Sequence, residues 1–187
     1  MEAVKAVLCS QNTHKLEELR AALPGWELEL LAAVDYPEET GSSYYENALA
    51  KARFGRAQGD AVAWMLGEDS GIEAEALGGR PGIGSARWAE DGVARLLDEL
   101  RDREDRRARY VCELVGLGPA GEELRGTGVL EGTVAEAPRG SEGFGYDPIF
   151  VPLGESLTVA ELGNAWKRGS SHRVRAAAEL LEAVRRS

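Results

Sequence analysis

The stretch AVKAVLCSQNTHKLEELRAAL, Ala3 to Leu23, decides the fold class. Ala3 to Leu8 has the length and apolar content of a buried strand, and a polar loop follows. From Lys15 onward, Leu16, Leu19 and Leu23 recur at helical spacing until Pro24-Gly25 stops the helix. Strand, polar loop and helix in that order are the building unit of an α/β sheet. Working outward, Leu28 to Val34 reads as a second strand, followed by the acidic loop Pro37-Glu38-Glu39-Thr40-Gly41. A second helix is expected over Tyr44 to Gln58, with Tyr45, Ala48, Leu49 and Ala52 on its buried face. Ala61 to Leu66 reads as a third strand that delivers Glu68-Asp69 at its end. Ile72 to Leu77, a glycine-rich loop from Gly78 to Gly84 and a third helix near Val93 to Leu100 come next. The charged stretch Arg101 to Arg107 reads as a solvated helix end and turn. Arg109 to Gly116 and Leu124 to Ala135 form an expected hairpin. The last helix spans Ser170 to Arg186, built on Val174, Ala177, Ala178, Leu181 and Val184. Strands and helices mix without strict βαβ alternation, which predicts an α/β fold on a mixed sheet.

The 187 residues, 43% of them hydrophobic, suffice for one continuous core and predict a single domain, residues 1–187. A formal net charge of −10 argues against binding a nucleic acid polymer, which needs a basic face. A small anion remains compatible, because local cations override the average. Cys9 and Cys112 both sit inside apolar runs, the pattern of buried thiols in a reducing compartment, and a cytoplasmic setting is expected. No apolar run is long enough for a membrane span.

Ser10-x-Asn12-x-x-Lys15 lies where a strand feeds a helix, a place whose N–H groups attract phosphate. Asn12 or Thr13 caps such a helix in any protein. Lys15, however, puts a cation in the first turn, where the dipole disfavours it and a bound anion would favour it. His172 and Arg173 repeat that placement at the start of the last helix. Glu38 or Glu39 of the acidic loop and Asp69 offer oxygen donors without thiolates, a set suited to Mg²⁺ shared with substrate phosphates. Adjacent Glu68 and Asp69 at a buried strand are costly unless paired. Ser43-x-x-Glu46 reads as a capping box, a structural device. Gly116-Leu117-Gly118-Pro119-Ala120-Gly121 matches a dinucleotide fingerprint by chance and reads as a hairpin turn. Trp88 and Trp166 read as packing residues.

Taken in order, Ser10-x-Asn12-x-x-Lys15, Glu38-Glu39-Thr40-Gly41 with Glu46-Asn47-Ala48, Glu68-Asp69-Ser70-Gly71, Gly79-x-Pro81-Gly82-x-x-Ser85-Ala86-Arg87, Phe144-Gly145-Tyr146-Asp147-Pro148-Ile149-Phe150 and Lys167-x-x-x-Ser171-His172-Arg173 resemble one family. It is the inosine/xanthosine triphosphate pyrophosphatase family, which removes non-standard purine nucleotides from the precursor pool. The resemblance implies an elongated mixed sheet flanked by helices, with two lobes and an active-site cleft between them, and a homodimer. It implies Mg²⁺-dependent hydrolysis of ITP, dITP and XTP to the monophosphate and pyrophosphate. Carried over by residue, Ser10, Gln11, Asn12, Thr13, His14 and Lys15 would hold the triphosphate, and Ser70 would touch substrate. Asp69 would accept a proton and bind the metal, with Glu38 preferred over Glu39 as the second ligand. Phe144, Gly145, Tyr146 and Asp147 with Lys167, His172 and Arg173 would form the base pocket.

Overall fold

A computed structural model describes residues 3–33 and 35–186. Its elements run β1 (Val4–Leu8), α1 (Thr13–Ala22), β2 (Trp26–Leu30), α2 (Tyr44–Gln58), β3 (Trp64–Ala74), α3 (Gly92–Glu99), β4 (Arg107–Leu117), β5 (Glu123–Val134), β6 (Phe150–Pro152), α4 (Val159–Ser170) and α5 (His172–Arg186). The six strands form one sheet in the order β2-β1-β3-β4-β5-β6. Parallel pairing sets Val4 opposite Trp26 and Ala6 opposite Trp64, whereas β5 and β6 are antiparallel, with Thr133 opposite Val151. The sheet is therefore mixed, as expected.

The chain divides into two compact units, Met1–Asp69, Cys112–Gly128 and Arg173–Ser187 in the first, Ser70–Val111 and Val129–His172 in the second. In the first unit Leu8, Leu19, Leu66, Leu114 and Leu180 centre the main core cluster. Gly67 lets β3 press against α2: a Cβ there would lie 1.8 Å from the Ala48 carbonyl oxygen. Cys9 and Cys112 are buried and unbridged, and burial pushes the Cys9 thiol up to about 12. In the second unit Ile72, Leu96, Tyr110, Ile149 and Phe150 centre the core, with Trp88 and Trp166 packed against it as packing residues.

Several elements depart from expectation. β3 begins at Trp64 and runs on to Ala74, so Glu68 and Asp69 lie mid-strand and not at its end. Carboxylates normally signal a strand stop, but here buried cations partner them. Ala61 and Val62 are exposed and precede the strand. β2 is shifted to Trp26–Leu30, and Val34, its expected end, lies outside the described residues. Arg106 is no solvated turn residue: its guanidinium donates to the carbonyls of Val134, Leu100 and Ala135. The glycine-rich loop closes with a 3₁₀ helix over Gly82–Arg87. α5 buries Ala176, Ala177 and Leu180 and leaves Ala178 exposed, a face turned from the expected one because Gly126 of β5 admits the helix backbone at Ala176.

Other readings hold. α2 spans the expected residues; Ser43 caps it by accepting from the Glu46 N–H, and the Glu46 carboxylate accepts from the Ser42 N–H and hydroxyl. Tyr45 is only half-buried and carries the Arg125 guanidinium 4.7 Å over its ring. The Gly116 to Gly121 segment turns β4 into β5, with the Gly118 N–H donating to the Glu122 carbonyl.

Candidate active site

Two polar clusters stand out, one in each unit. The first starts from the β1–α1 loop. Ser10 Oγ accepts from the Asn12 N–H at 3.1 Å, and Asn12 Oδ1 caps α1 by accepting from the N–H groups of His14 (2.9 Å) and Lys15 (3.2 Å). Gln11, Thr13 and His14 are exposed beside this cap. The first-turn cation has a partner within the protein: Lys15 Nζ lies 2.5 Å from Glu68 Oε2. Arg173, at the start of α5, gives Glu68 its second cation at 3.0 Å and reaches Glu18 at 3.5 Å. The unfavourable end of each helix is thus offset by the same fully buried carboxylate. Burial opposes the ionised form of Glu68, yet Lys15, Arg173 and Lys51 outweigh it and hold this carboxyl well below the usual range.

One residue further along β3, Asp69 faces α2. Asn47 Nδ2 donates to Asp69 Oδ2 at 2.9 Å, and Lys51 Nζ donates to Asp69 Oδ1 at 3.3 Å and to the Glu68 carbonyl at 3.0 Å. Lys51 also pairs with Glu39 of the acidic loop. Asp69 is buried, and burial pushes its carboxyl above the usual aspartate range despite Lys51 and Asn47, with Glu39 and Glu68 adding repulsion. Burial disfavours the Lys51 ammonium, but Asp69, Glu68 and Glu39 together hold it above the ordinary lysine value. The structure brings Glu39 to this group, while Glu38 is exposed.

Asn47 and Lys51 carry no role in the sequence reading. Their signal is positional: at i and i+4 on α2 they flank Ala48 and Ala52, so the helix turns an amide and an ammonium toward its buried side. Among the described residues, no group of three or more His, Cys, Asp or Glu side chains is set to hold a metal. Glu39 and Asp69 both reach Lys51, which brings two carboxylates together and supplies oxygen donors of the kind Mg²⁺ takes.

The second cluster lies in the Phe144–Asp147 turn, β4 and α4. Asp147 is buried, and its Oδ2 accepts from the Phe144 N–H at 2.9 Å and from Lys167 Nζ at 2.7 Å. Gly143 is required there, since a Cβ would fall 2.2 Å from Asp147 Oδ2 on a backbone with φ +79°. The Lys167 ammonium also sits 4.3 Å over the half-buried Phe144 ring. Gly145 is exposed, whereas Tyr146 is a core residue whose hydroxyl donates to the Ser85 carbonyl. His172 is buried and stacks on Tyr110 at 4.6 Å and 14°. Ser70 opens this unit and is half-buried. α4, which supplies Lys167, is absent from the sequence reading, although Thr158-x-x-Glu161 is a complete capping box.

The chain is thus an α/β protein with a many-charged cluster in its first unit and a donor–acceptor pair set among aromatics in its second. The Ham1 family model matches residues 6–183. A dITP/XTP pyrophosphatase of Symbiobacterium thermophilum is 46% identical over 191 residues, covering 97% of this chain and 95% of that one. One of Deinococcus radiodurans is 44% identical, covering 96% and 92%. Among solved structures, a HAM1 protein from Coxiella burnetii superposes with a TM-score of 0.84 at 34% identity, covering 98% of this chain and 100% of that one. The Staphylococcus aureus Ham1 protein gives 0.82 at 35%, covering 97% and 98%. The chain belongs to the Ham1 family.

Proposed function

We propose that this chain hydrolyses non-standard purine nucleoside triphosphates, ITP, dITP and XTP, to the monophosphate and pyrophosphate, as the names of its relatives indicate for them. The observation that carries the reading is Asp69: a buried carboxyl held by Asn47 and Lys51 and pushed above the usual aspartate range. Such a group suits a general base, because a carboxylate of raised basicity takes a proton from water more readily. In this reading Asp69 accepts the proton of the water that attacks the α-phosphorus. Lys15 and Lys51 would supply positive charge to the phosphates. Glu39 and Asp69, with Glu38 on the same loop, would hold Mg²⁺, which when bound polarises phosphate oxygens.

Base choice follows from hydrogen-bond pattern. A 6-keto purine presents an acceptor at O6 beside a donor at N1–H, and Lys167 and Asp147 offer a donor beside an acceptor. Adenine presents the reverse, which leaves buried groups mispaired and discriminates strongly. Family resemblance extends the proposal to a homodimer, which light scattering tests by mass. The activity is tested by incubating the chain with Mg²⁺ and ITP, XTP, GTP or ATP. Pyrophosphate from ITP and XTP, with the monophosphate as co-product, is expected. Orthophosphate and a diphosphate would refute the cleavage site.

A further inference from the structure

Asp147 has three donors, and the third comes from a residue that neither the motifs nor the proposed chemistry employ. Tyr110 on β4 is buried, and its hydroxyl donates to Asp147 Oδ1 at 3.1 Å. The two oxygens of a carboxylate offer about four lone-pair directions. Oδ2 spends both of its directions on Lys167 and the Phe144 N–H, so the Tyr110 hydroxyl decides which direction of Oδ1 is left to accept from a ligand. The same ring stacks on His172 at 4.6 Å and is braced from another side by Phe150 at 4.4 Å. One rigid phenol therefore fixes both the acceptor and the imidazole.

We propose that Tyr110 is a positioning residue for base selectivity: its hydroxyl orients Asp147 Oδ1 toward the N1–H of a 6-keto purine while its ring holds the plane of His172. This rests on the function proposed above. Tyr110 touches no phosphate group and takes no part in proton transfer, so its loss acts on recognition and spares the chemical step.

The test is Tyr110→Phe in the full-length chain, which keeps the ring and its contacts with His172 and Phe150 and removes only the hydroxyl. A hydrogen bond to a charged group corresponds to roughly tenfold in affinity. KM for ITP is therefore expected to rise about tenfold with kcat within about twofold, and the preference for ITP over ATP to fall by a similar factor. A double-mutant cycle with Asp147→Asn separates this from a merely structural role. If Tyr110 acts through Asp147, the double variant is no worse for ITP selectivity than Asp147→Asn alone; independent losses that multiply overturn the proposal. Unchanged KM and selectivity in Tyr110→Phe overturn it too, and leave the function intact if the parent releases pyrophosphate from ITP. A parent that releases none refutes the function, and the proposal with it. Thermal melting of each variant identifies any loss that is simply unfolding, in which case the selectivity ratio of the remaining folded Asp147→Asn decides: unaltered selectivity there overturns the proposal.

Discussion

The two polar clusters solve the cost of buried charge differently. In the first unit Glu18, Glu39, Glu68 and Asp69 share Lys15, Lys51 and Arg173, and Glu68, Lys51 and Arg173 each have two partners of opposite charge. In the second, one ion pair, Asp147 with Lys167, is surrounded by Phe144, Tyr110 and His172 and completed by neutral donors. A shared network can redistribute on ligand binding, because Lys51 and Arg173 each have an alternative carboxylate. A lone pair in an aromatic setting has fixed directions, which is what reading a hydrogen-bond pattern requires. In the proposed function, phosphate handling falls to the shared network and base recognition to the single pair.

The largest effect expected is on turnover. Asp69→Asn removes the proposed proton acceptor and should lower kcat by on the order of 10² to 10⁴-fold with the fold intact, read by pyrophosphate release and circular dichroism. Unpairing buried charge comes next. Lys167→Met leaves Asp147 buried without its cation and should cost about 3–5 kcal/mol in denaturant unfolding. Glu68→Gln leaves Lys15 and Arg173 without their shared carboxylate, and a smaller loss is expected because Arg173 keeps Glu18. Equal losses in the two variants would break the contrast between shared and lone pairs.

The pH dependence sharpens the same contrast. Burial raises the Asp69 carboxyl in the folded chain, so in the proposed function it would serve as a base only once the pH passes its elevated value. The acid limb of kcat should lie above the ordinary aspartate value of about 4. Its raised value gives a contribution to stability that is fully present below the unfolded-state pKa and lost as pH rises through the folded one. Glu68 is depressed, so its contribution is present above the unfolded carboxylate range and lost only as pH falls toward its low folded value. The two neighbours should therefore move stability in opposite directions, seen as opposite changes in the pH–stability slope between the Asp69→Asn and Glu68→Gln variants. The smallest effect is at the surface: the exposed Arg101–Asp98 pair should contribute at most about 0.5 kcal/mol, measured as the stability change in Asp98→Asn.

Periodicity made much of the fold legible. α2 is bounded to the residue because Ser43 caps it and Gly59 follows it, and α1 shows its leucine stripe in sequence. β3 is not legible where buried charge breaks the pattern, since Glu68 and Asp69 stay in a strand only through cations from α1, α2 and α5 that lie far away in sequence. α4 escaped because Gly163 and Gly169 look like breakers; Gly163, at φ +82°, does mark a kink inside it. The site was readable where motifs are local. The β1–α1 loop, the acid pair and the Phe144–Asp147 turn were singled out, whereas Lys51 and Tyr110 were not. Both acquire meaning only through a partner 18 or 37 residues away, Asp69 or Asp147.

The central claim is tested most directly by following pyrophosphate release from ITP, XTP, GTP and ATP with Mg²⁺, in the parent chain and in Asp69→Asn side by side. Rapid release from ITP and XTP, little from ATP, and collapse of the ITP and XTP signals in the variant are expected. Release from none of the four, or undiminished release by the variant, would contradict it.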